Sequence, residues 1–596
     1  MYWLSASRYS PNLKRRSFEI SRGLLEDCRC CSKLYPKPSQ TGLNPSETRL
    51  ESIIGEMSTV PDPAPPRSAV RQIARAAGTV MAAFVLTQLL GLARTILVYR
   101  AFGISADLDS FNAANRVTEM LFNLMASGAL GSAFIPTFTG LLARDQRQTA
   151  WKLASAVANL LFILLTLIAV LVFFFAPQVV RQGLFILAPD LSIGQEQTTI
   201  VLLRWLLPTV ILFGLSGLVM GILNAHQKFW LPAIAPAMYS LGQIGGVLLL
   251  PQEWGIYRLA VGALVGSALH LGVQLPQLLR LNGRYIPTLG IRMAEVREVA
   301  RLMGPRVLGV AVVQINFIVN TIIGLSLPEG SVSSLTLAFT LMLMPQAAIA
   351  QSVAIAAMPT FSAQAALGKL DEMRTSLSES LRGVLLLAVP AALGLITVRI
   401  PLVRWLYEGG EFTPRSTEMV AWALLWYALG LVFHSLLEII VRAFYALHDT
   451  RTPVSVTAGA MTLNIVFSLT FPAWFERFGW MPHGGLALAN SLATFLECSL
   501  LLFLLKRRLG GLQGTKLLAG TKIAVLGGLT MMLLVTLWLQ FHPPLGDSLI
   551  VLSSVGIGGV VYAAMLWIQR TPELFFMWGS LIRRARQIFE TRTGYK

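Results

Sequence analysis

Ala133-Phe-Ile-Pro136-Thr-Phe-Thr139 comes back, 223 residues further on, as Ala356-Ala-Met-Pro359-Thr-Phe-Ser362. A second stretch, Asn224-Ala-His-Gln-Lys-Phe-Trp-Leu-Pro232, returns 221 residues later as Tyr445-Ala-Leu-His-Asp-Thr-Arg-Thr-Pro453. A fainter third match sets Gln88 with Thr95-Ile96 against Gln314 with Thr321-Ile322, at an offset of 226. Three matches in order and nearly in register mark a duplicated unit of roughly 220 residues. Paired repeats of this size are a common build of transporters, with a central site between the halves.

The solvent of the repeat is lipid. The chain is 54% hydrophobic and 13% charged, with a mean hydropathy of +0.63, against about 25% charged residues in a soluble domain. Fourteen apolar stretches of bilayer-spanning length run from 77–99 to 547–569, each near the 20 residues or so that a membrane helix needs. The second (107–135) and eighth (333–359) are too polar for a simple hydropathy window. The expected fold is an all-α polytopic membrane protein: two six-helix lobes from the internal repeat, plus two C-terminal helices. Residues 1–75 are read as a disordered tail, 76–285 as the first lobe and 286–510 as a linker and the second lobe. Residues 511–570 hold the last two spans and 571–596 a basic tail. Met57 is a natural alternative start.

The net charge of +18 does not point to nucleic acid, because the basic residues sit in alternate loops. They cluster at Arg144 to Lys152, Arg280 to Arg301, Lys369 to Arg374 and Lys506 to Lys516, with Arg583, Arg584 and Arg586 in the tail. The positive-inside rule then puts both termini in the cytoplasm. Arg280 to Arg301 reads as a partly helical amphipathic connector between the lobes. Cys28, Cys30 and Cys31 form C-x-C-C with no second ligand cluster. No nucleotide-binding loop, metal cluster or nucleophile–base pattern is present in the sequence, so neither a cofactor nor an enzyme is expected.

Read as a helix, the second span puts Asp109, Asn112, Arg116, Glu119, Asn123 and Ser127 in one file, at steps of three and four. A charge at the bilayer centre costs about 2.5–3.5 kcal/mol on insertion scales. Three ionisable groups in one file therefore need a wet cavity or mutual pairing, and Arg116 and Glu119 are spaced for an i,i+3 pair. A solvated helix lying on the membrane surface would show the same file; the length of the span and its repeat-matched proline favour a cavity wall. The first span adds Gln88 and Arg94 on one face, although Arg94 could also snorkel to the surface. The second half supplies Asn316 and Asn320 one turn apart, then Thr340, which offer hydrogen bonds but no charge. Arg94, Arg116, Asp109, Gln88, Asn112, Glu119, Asn123, Asn316, Asn320 and Thr340 are thus the candidate substrate contacts. Pro136 and Pro359 are expected to end the second and eighth spans. Pro232 and Pro453 stand just inside the starts of the fifth and eleventh. Glu438 and Arg442, at i,i+4, read as a structural clamp in the tenth span, and Glu497 as a satisfied acid in the twelfth.

The chain resembles the MurJ (MviN) family of lipid II flippases, within the multidrug/oligosaccharidyl-lipid/polysaccharide exporter superfamily. The likeness runs from about residue 76 to 570 and rests on Gly91-Leu-Ala-Arg94, Asp109-Ser-Phe, Gly128 to Pro136, Asn224-Ala to Pro236 and Gly304-Pro. Gly409-Gly-Glu-Phe-Thr413, Arg442 to Pro453 and Gly485 to Ser491 complete it. The resemblance implies a fourteen-helix, two-lobed fold that moves an undecaprenyl-pyrophosphate-linked peptidoglycan precursor across the bacterial cytoplasmic membrane by alternating access. Such a role belongs to cell-wall biogenesis and cell shape. It further implies a V-shaped cavity for the headgroup, a groove at the appended helices for the lipid tail, Arg94 as a cavity arginine and Asp109 as a functionally important acid. The implied partners are lipid II or a related polyprenyl-pyrophosphate glycolipid, membrane lipids and the cell-wall synthesis machinery.

The chain departs from the family at three cationic positions, which fall here on Gln88, Phe122 and Thr340, leaving Arg94, with Arg116 as a substitute one or two turns away. Positions that bind sodium in some relatives fall on Asn464 and Ser468, without a carboxylate. Three alternatives stay open: a flippase for another polyprenyl-pyrophosphate-linked oligosaccharide, a drug or cation antiporter of the same superfamily, and a non-transporting scaffold.

Overall fold

Left-handed backbone turns punctuate the chain in matched pairs. The computed structural model describes residues 67–124, 133–187 and 193–571. Within them, positive φ angles fall at Gly103 and Gly330, Asp145 and Gly368, Gln227 and His448, Gly255 and Gly479, and Asn282 and Gly510. Each pair is separated by 221 to 228 residues, the offset of the sequence repeat. Most of these residues sit just past a helix end, where a left-handed residue closes the last turn. The duplication therefore survives in the turns even where side chains have diverged. The tail residues 1–66, with Met57 and the C-x-C-C cysteines, lie outside the described residues, as do Ser127 and the tail from 572. The described residues from 76 onward belong to one compact unit and are the subject below.

The first lobe holds α1 (Arg67–Phe102), α2 (Ala106–Phe122), α3 (Ile135–Ala143), α4 (Arg147–Phe174), α5 (Ile193–Ala225), α6 (Trp230–Leu249) and α7 (Tyr257–Gly272). The second holds α8 (Ala294–Leu325), α9 (Ser331–Gln346), α10 (Ser352–Ala366), α11 (Leu370–Tyr407), α12 (Pro414–Ala446), α13 (Arg451–Arg477) and α14 (His483–Arg508). α15 (Gly514–Phe541) and α16 (Asp547–Ile568) follow, both packed on α11. The lobes are built alike. α5 packs on α2, α4 and α7, and α6 on α7; correspondingly α12 packs on α9, α11 and α14, and α13 on α14.

Twelve described helices are long and apolar enough to cross a membrane, and α8 makes a thirteenth when its halves are read across a 46° bend. α2 fails that test because its 17 residues carry Asp107, Asp109, Arg116 and Glu119. The eighth span, expected to be too polar, passes as Ser331–Ala366, since a π-helical turn at Ala347–Gln351 joins α9 to α10 without a break. A second correction concerns the prolines. Pro136 lies in the first turn of α3 and Pro359 inside α10, so neither ends its helix. A first-turn proline withholds no needed donor, and Pro359 forfeits one hydrogen bond on an exposed face. What the repeat conserves is the packing two residues later, where Phe138 and Phe361 are both buried. Pro232 and Pro453 do stand in the first turns of α6 and α13.

Two features fix the site. α6 and α7 touch backbone to backbone through Gly242, Gly246, Gly262 and Gly266; a methyl on Gly246 would come within 2.5 Å of the Arg258 carbonyl oxygen. Small residues four apart allow this approach in lipid, and it presses Gln243 toward the lobe boundary. The connector is the other. It is partly helical, as its sequence implies, because residues 294–301 already belong to α8, while residues 283–290 form no helix and lie along α4. Asn159 Nδ2 donates to the Thr288 carbonyl at 2.9 Å, and the Ile286 N–H donates to Ser155 Oγ at 3.1 Å. Pro287 and two glycines in this stretch disfavour a helix. Val296 and Val299, in the first turns of α8, are buried in the core formed by α3, α4 and α5.

Candidate functional site

Four helices from each lobe wall one central cavity of about 390 Å³: α1, α2, α6 and α7 on one side, α8, α9, α12 and α14 on the other. The polar file of α2 is what makes it wet. Asn112, Arg116 and Glu119 all line it, with Asn115 beside them. Arg116 Nη1 donates to Glu119 Oε2 at 3.0 Å, and Asn115 Nδ2 donates to Glu119 Oε1 at 2.7 Å. The Arg116 guanidinium also stands over the Phe317 ring of the opposite lobe, 5.0 Å from its centroid, within cation–π range.

Arg94 reaches the same cavity from α1. Its Nη1 donates to Gln243 Oε1 at 3.0 Å, and Gln243 Nε2 in turn donates to the Tyr239 hydroxyl at 2.9 Å. The arginine is thus held by a neutral acceptor, which leaves its charge uncompensated. Arg94, Arg116 and Glu119 are the ionisable Arg and Glu residues on the wall, so the charge there is net positive. The second lobe faces them with Asn316, Asn320, Thr336, Thr340 and Asn490, all neutral.

Asn316 and Asn320 also tie α8 to α13. Both donate to Asn464 Oδ1 at 2.9 Å, and Ser468 Oγ donates to Asn320 Oδ1 at 2.8 Å. The Asn464 oxygen is therefore already engaged by amide donors. Among the described residues, no cluster of three or more His, Cys, Asp or Glu is placed to hold a metal ion.

Asp109 belongs to the same file but does not line the cavity. It is buried (3% exposed) at one end, where it accepts the Gly330 N–H at 2.8 Å and the Ser333 N–H at 2.7 Å, at the start of α9. Around it the lobes are stitched together. The Tyr99 hydroxyl donates to the Ser333 carbonyl at 3.0 Å, Asn112 Nδ2 to Ser333 Oγ at 3.0 Å, and the Ala106 N–H to Glu329 Oε1 at 2.9 Å. The Gly409–Phe412 loop closes on the end of α1, the Glu411 N–H donating to the Arg100 carbonyl at 2.9 Å. This is the sealed end of the cavity.

Gln88 is exposed and outside the cavity, two turns before Arg94. Asn123 caps the end of α2 rather than lining the wall, and Phe122 packs on Phe213 at 5.5 Å. Glu438 and Arg442 pair at 3.2 Å within α12, away from the cavity. Pro136, Pro232, Pro359 and Pro453 shape the helices without touching it. Sequence reasoning missed Asn115, Tyr239, Gln243 and Asn490; the last is oriented by His434 Nε2, 3.1 Å from its Oδ1.

A second cavity, about 590 Å³, lies between α11, α12, α14 and α15. Leu385, Val389, Val432, Phe433 and Leu517 wall it, almost without polar atoms.

A family profile described as Lipid II flippase MurJ matches residues 98–547. The Lipid II flippase MurJ of Burkholderia cenocepacia is 29% identical over 520 residues, 84% of this chain and 98% of that protein. The Probable lipid II flippase MurJ of Vibrio cholerae serotype O1 is 30% identical over 429 residues, 71% of this chain and 81% of that one. A solved Lipid II flippase MurJ in an inward closed conformation superposes with a TM-score of 0.70 at 25% identity, covering 82% of this chain and 98% of that one. An inward-facing multidrug resistance MATE transporter of the MOP superfamily shares the fold alone, with a TM-score of 0.61 at 14% identity over 73% of this chain and 98% of that one.

Proposed function

The chain belongs to the lipid II flippase MurJ family, and from that premise we propose that it carries lipid II from the inner to the outer leaflet of the bacterial cytoplasmic membrane by alternating access. The observation that carries the reading is the convergence of Arg94 and Arg116 on one inter-lobe cavity with a positive balance. A pyrophosphate is a multiply charged anion, and the planar guanidinium fork matches its oxygens in pairs. The neutral amides and hydroxyls of the opposite wall suit sugar hydroxyls. The apolar groove beside α15 suits a polyprenyl tail, which the aqueous cavity would exclude.

Basic residues in alternate loops support a cytoplasmic location for both termini. The sealed end then faces outward, and the cavity takes its load from the inner leaflet. Delivery of the precursor serves the cell-wall synthesis machinery and so cell shape. A related polyprenyl-pyrophosphate glycolipid is the second reading, favoured by a second-lobe wall that offers no cation.

Complementation in a bacterium depleted of its own lipid II flippase tests this. The wild-type chain should rescue growth, and Arg94→Ala and Arg116→Ala should not. Rescue that survives both changes removes the anion site; failure of a normally expressed wild-type chain removes lipid II as the substrate.

A further inference from the structure

The two cavity arginines are prepared differently. Arg94 rests on the neutral oxygen of Gln243, whereas Arg116 is paired with a carboxylate from its own helix turn. Both oxygens of that carboxylate are engaged, one by Arg116 and the other by Asn115. The Glu119 side chain nevertheless stays 44% exposed to the cavity, and Arg116 25%. With one face of the guanidinium against Phe317 and its Nη1 held by Glu119, an incoming anion competes with Glu119 for that donor and its charge.

We propose that Glu119 is the resident counter-anion of Arg116, a carboxylate that the phosphate of the ligand must displace, and that it sets how tightly the cavity holds its load. The inference rests on the reading of the cavity as a pyrophosphate site. Loading is then an exchange of partners: Arg116 leaves a single carboxylate for a group with more charge and more acceptor oxygens. Unloading is the reverse, Glu119 reclaiming Arg116 as the headgroup departs. A cavity with two unpaired arginines would bind the same anion more tightly and surrender it more slowly. Glu119 is in this sense a positioning residue, acting on the ligand through Arg116.

The test uses the full chain in nanodiscs of zwitterionic lipid, titrated with lipid II, with flipping followed in proteoliposomes. Glu119→Gln should lower the Kd by up to about fivefold, the ceiling for a partly exposed ion pair, and slow flipping. Glu119→Asp, which keeps the charge, should stay near the wild-type Kd. In an Arg116→Gln background, Glu119→Gln should leave the Kd where it is, because the effect runs through the arginine. A Kd that rises or stays unchanged in Glu119→Gln overturns the inference. An equal shift in both backgrounds overturns it too, because the carboxylate would then act on the ligand directly. If the wild-type chain binds no lipid II, the substrate reading fails. The same chains titrated with inorganic pyrophosphate then decide the counter-anion role by the same comparison, and an absence of the Arg116-dependent shift ends it.

Discussion

The Asp109 carboxylate of α2 and the Ser333 backbone N–H of α9 meet at 2.7 Å across the lobe boundary. The start of a helix presents unpaired N–H groups and the positive end of its dipole, and Asp109 covers that of α9 from the other lobe. The exchange is mutual, since Glu329, just before α9, accepts the first N–H of α2 at 2.9 Å. Each lobe completes a helix end that its partner leaves open, so separation at this end exposes polar groups on both.

Asp109→Ala should therefore loosen the sealed end. It leaves two buried N–H groups unpaired, at about 1–3 kcal/mol each, and shifts the population toward an open seal. A membrane-impermeant maleimide, added from that side to a chain carrying Asn112→Cys, should react faster when Asp109→Ala is also present. Asp109→Asn, which keeps an acceptor, should fall between. Equal labelling rates in all three would count against the seal.

The glycine contact of α6 and α7 predicts a steep local sensitivity. Gly246→Val and Gly262→Leu must push the two backbones apart, so the thermal midpoint of the detergent-purified chain should drop sharply, along with the yield of folded protein. Gly245 meets nothing nearer than Leu249 Cδ1 at 3.9 Å, and Gly245→Ala should leave the midpoint unchanged or slightly raised, since alanine favours the helix. Similar losses at all three positions would dismiss the contact as the cause.

Filling the apolar groove should weaken lipid II binding without disturbing the central cavity. Val432→Trp would displace about two methylenes of a docked chain, at about 0.8 kcal/mol each, and raise the Kd about tenfold. Inorganic pyrophosphate, which has no tail, should bind as before. A matching loss for both ligands would refute the groove as the tail site.

Asp449, in the loop between α12 and α13, predicts an acid limb to stability. Its carboxylate accepts the Thr452 N–H at 3.0 Å and then the Thr452 hydroxyl, with Arg508 alongside. These contacts, the Thr452 backbone bond first, hold its pKa below the usual carboxylate range. A depressed pKa stabilises the fold above the unfolded value of about 3.9, and that stabilisation fades as pH falls through the folded value. Asp449→Asn should flatten the fall of the thermal midpoint below about pH 4; parallel curves would rule the pair out.

How much of this was readable depended on whether helical spacing alone decides where a side chain goes. Asn112, Arg116 and Glu119 reach the cavity as their three- and four-residue steps imply, and Asn115, which fits the same steps, was legible too. Asp109 shares their face but not their surroundings, because the cavity stops where α9 begins, and no sequence period reveals a neighbour's helix start. Gln243 and Asn490 are single amides in apolar spans. The faces they present are set by the glycine contact of α6 with α7 and by the packing of α12 on α14, which sequence alone does not encode. The repeat was plain in its prolines, and Pro232 and Pro453 start their helices as read. Pro136 and Pro359 end none, because a proline is tolerated in a first turn, as at Pro136, and on an exposed helix face, as at Pro359.

Val296 and Val299 open the second lobe's leading helix while lodged among side chains of the first. On the proposed alternating access, the seam between the halves is therefore not where the duplicated copies were joined. It lies further along, inside α8 itself, between those valines and Asn316. On the proposed mechanism, rocking of one bundle against the other would be taken up at the 46° bend between the two halves of α8, whose root is anchored in one body and whose tip belongs to the other.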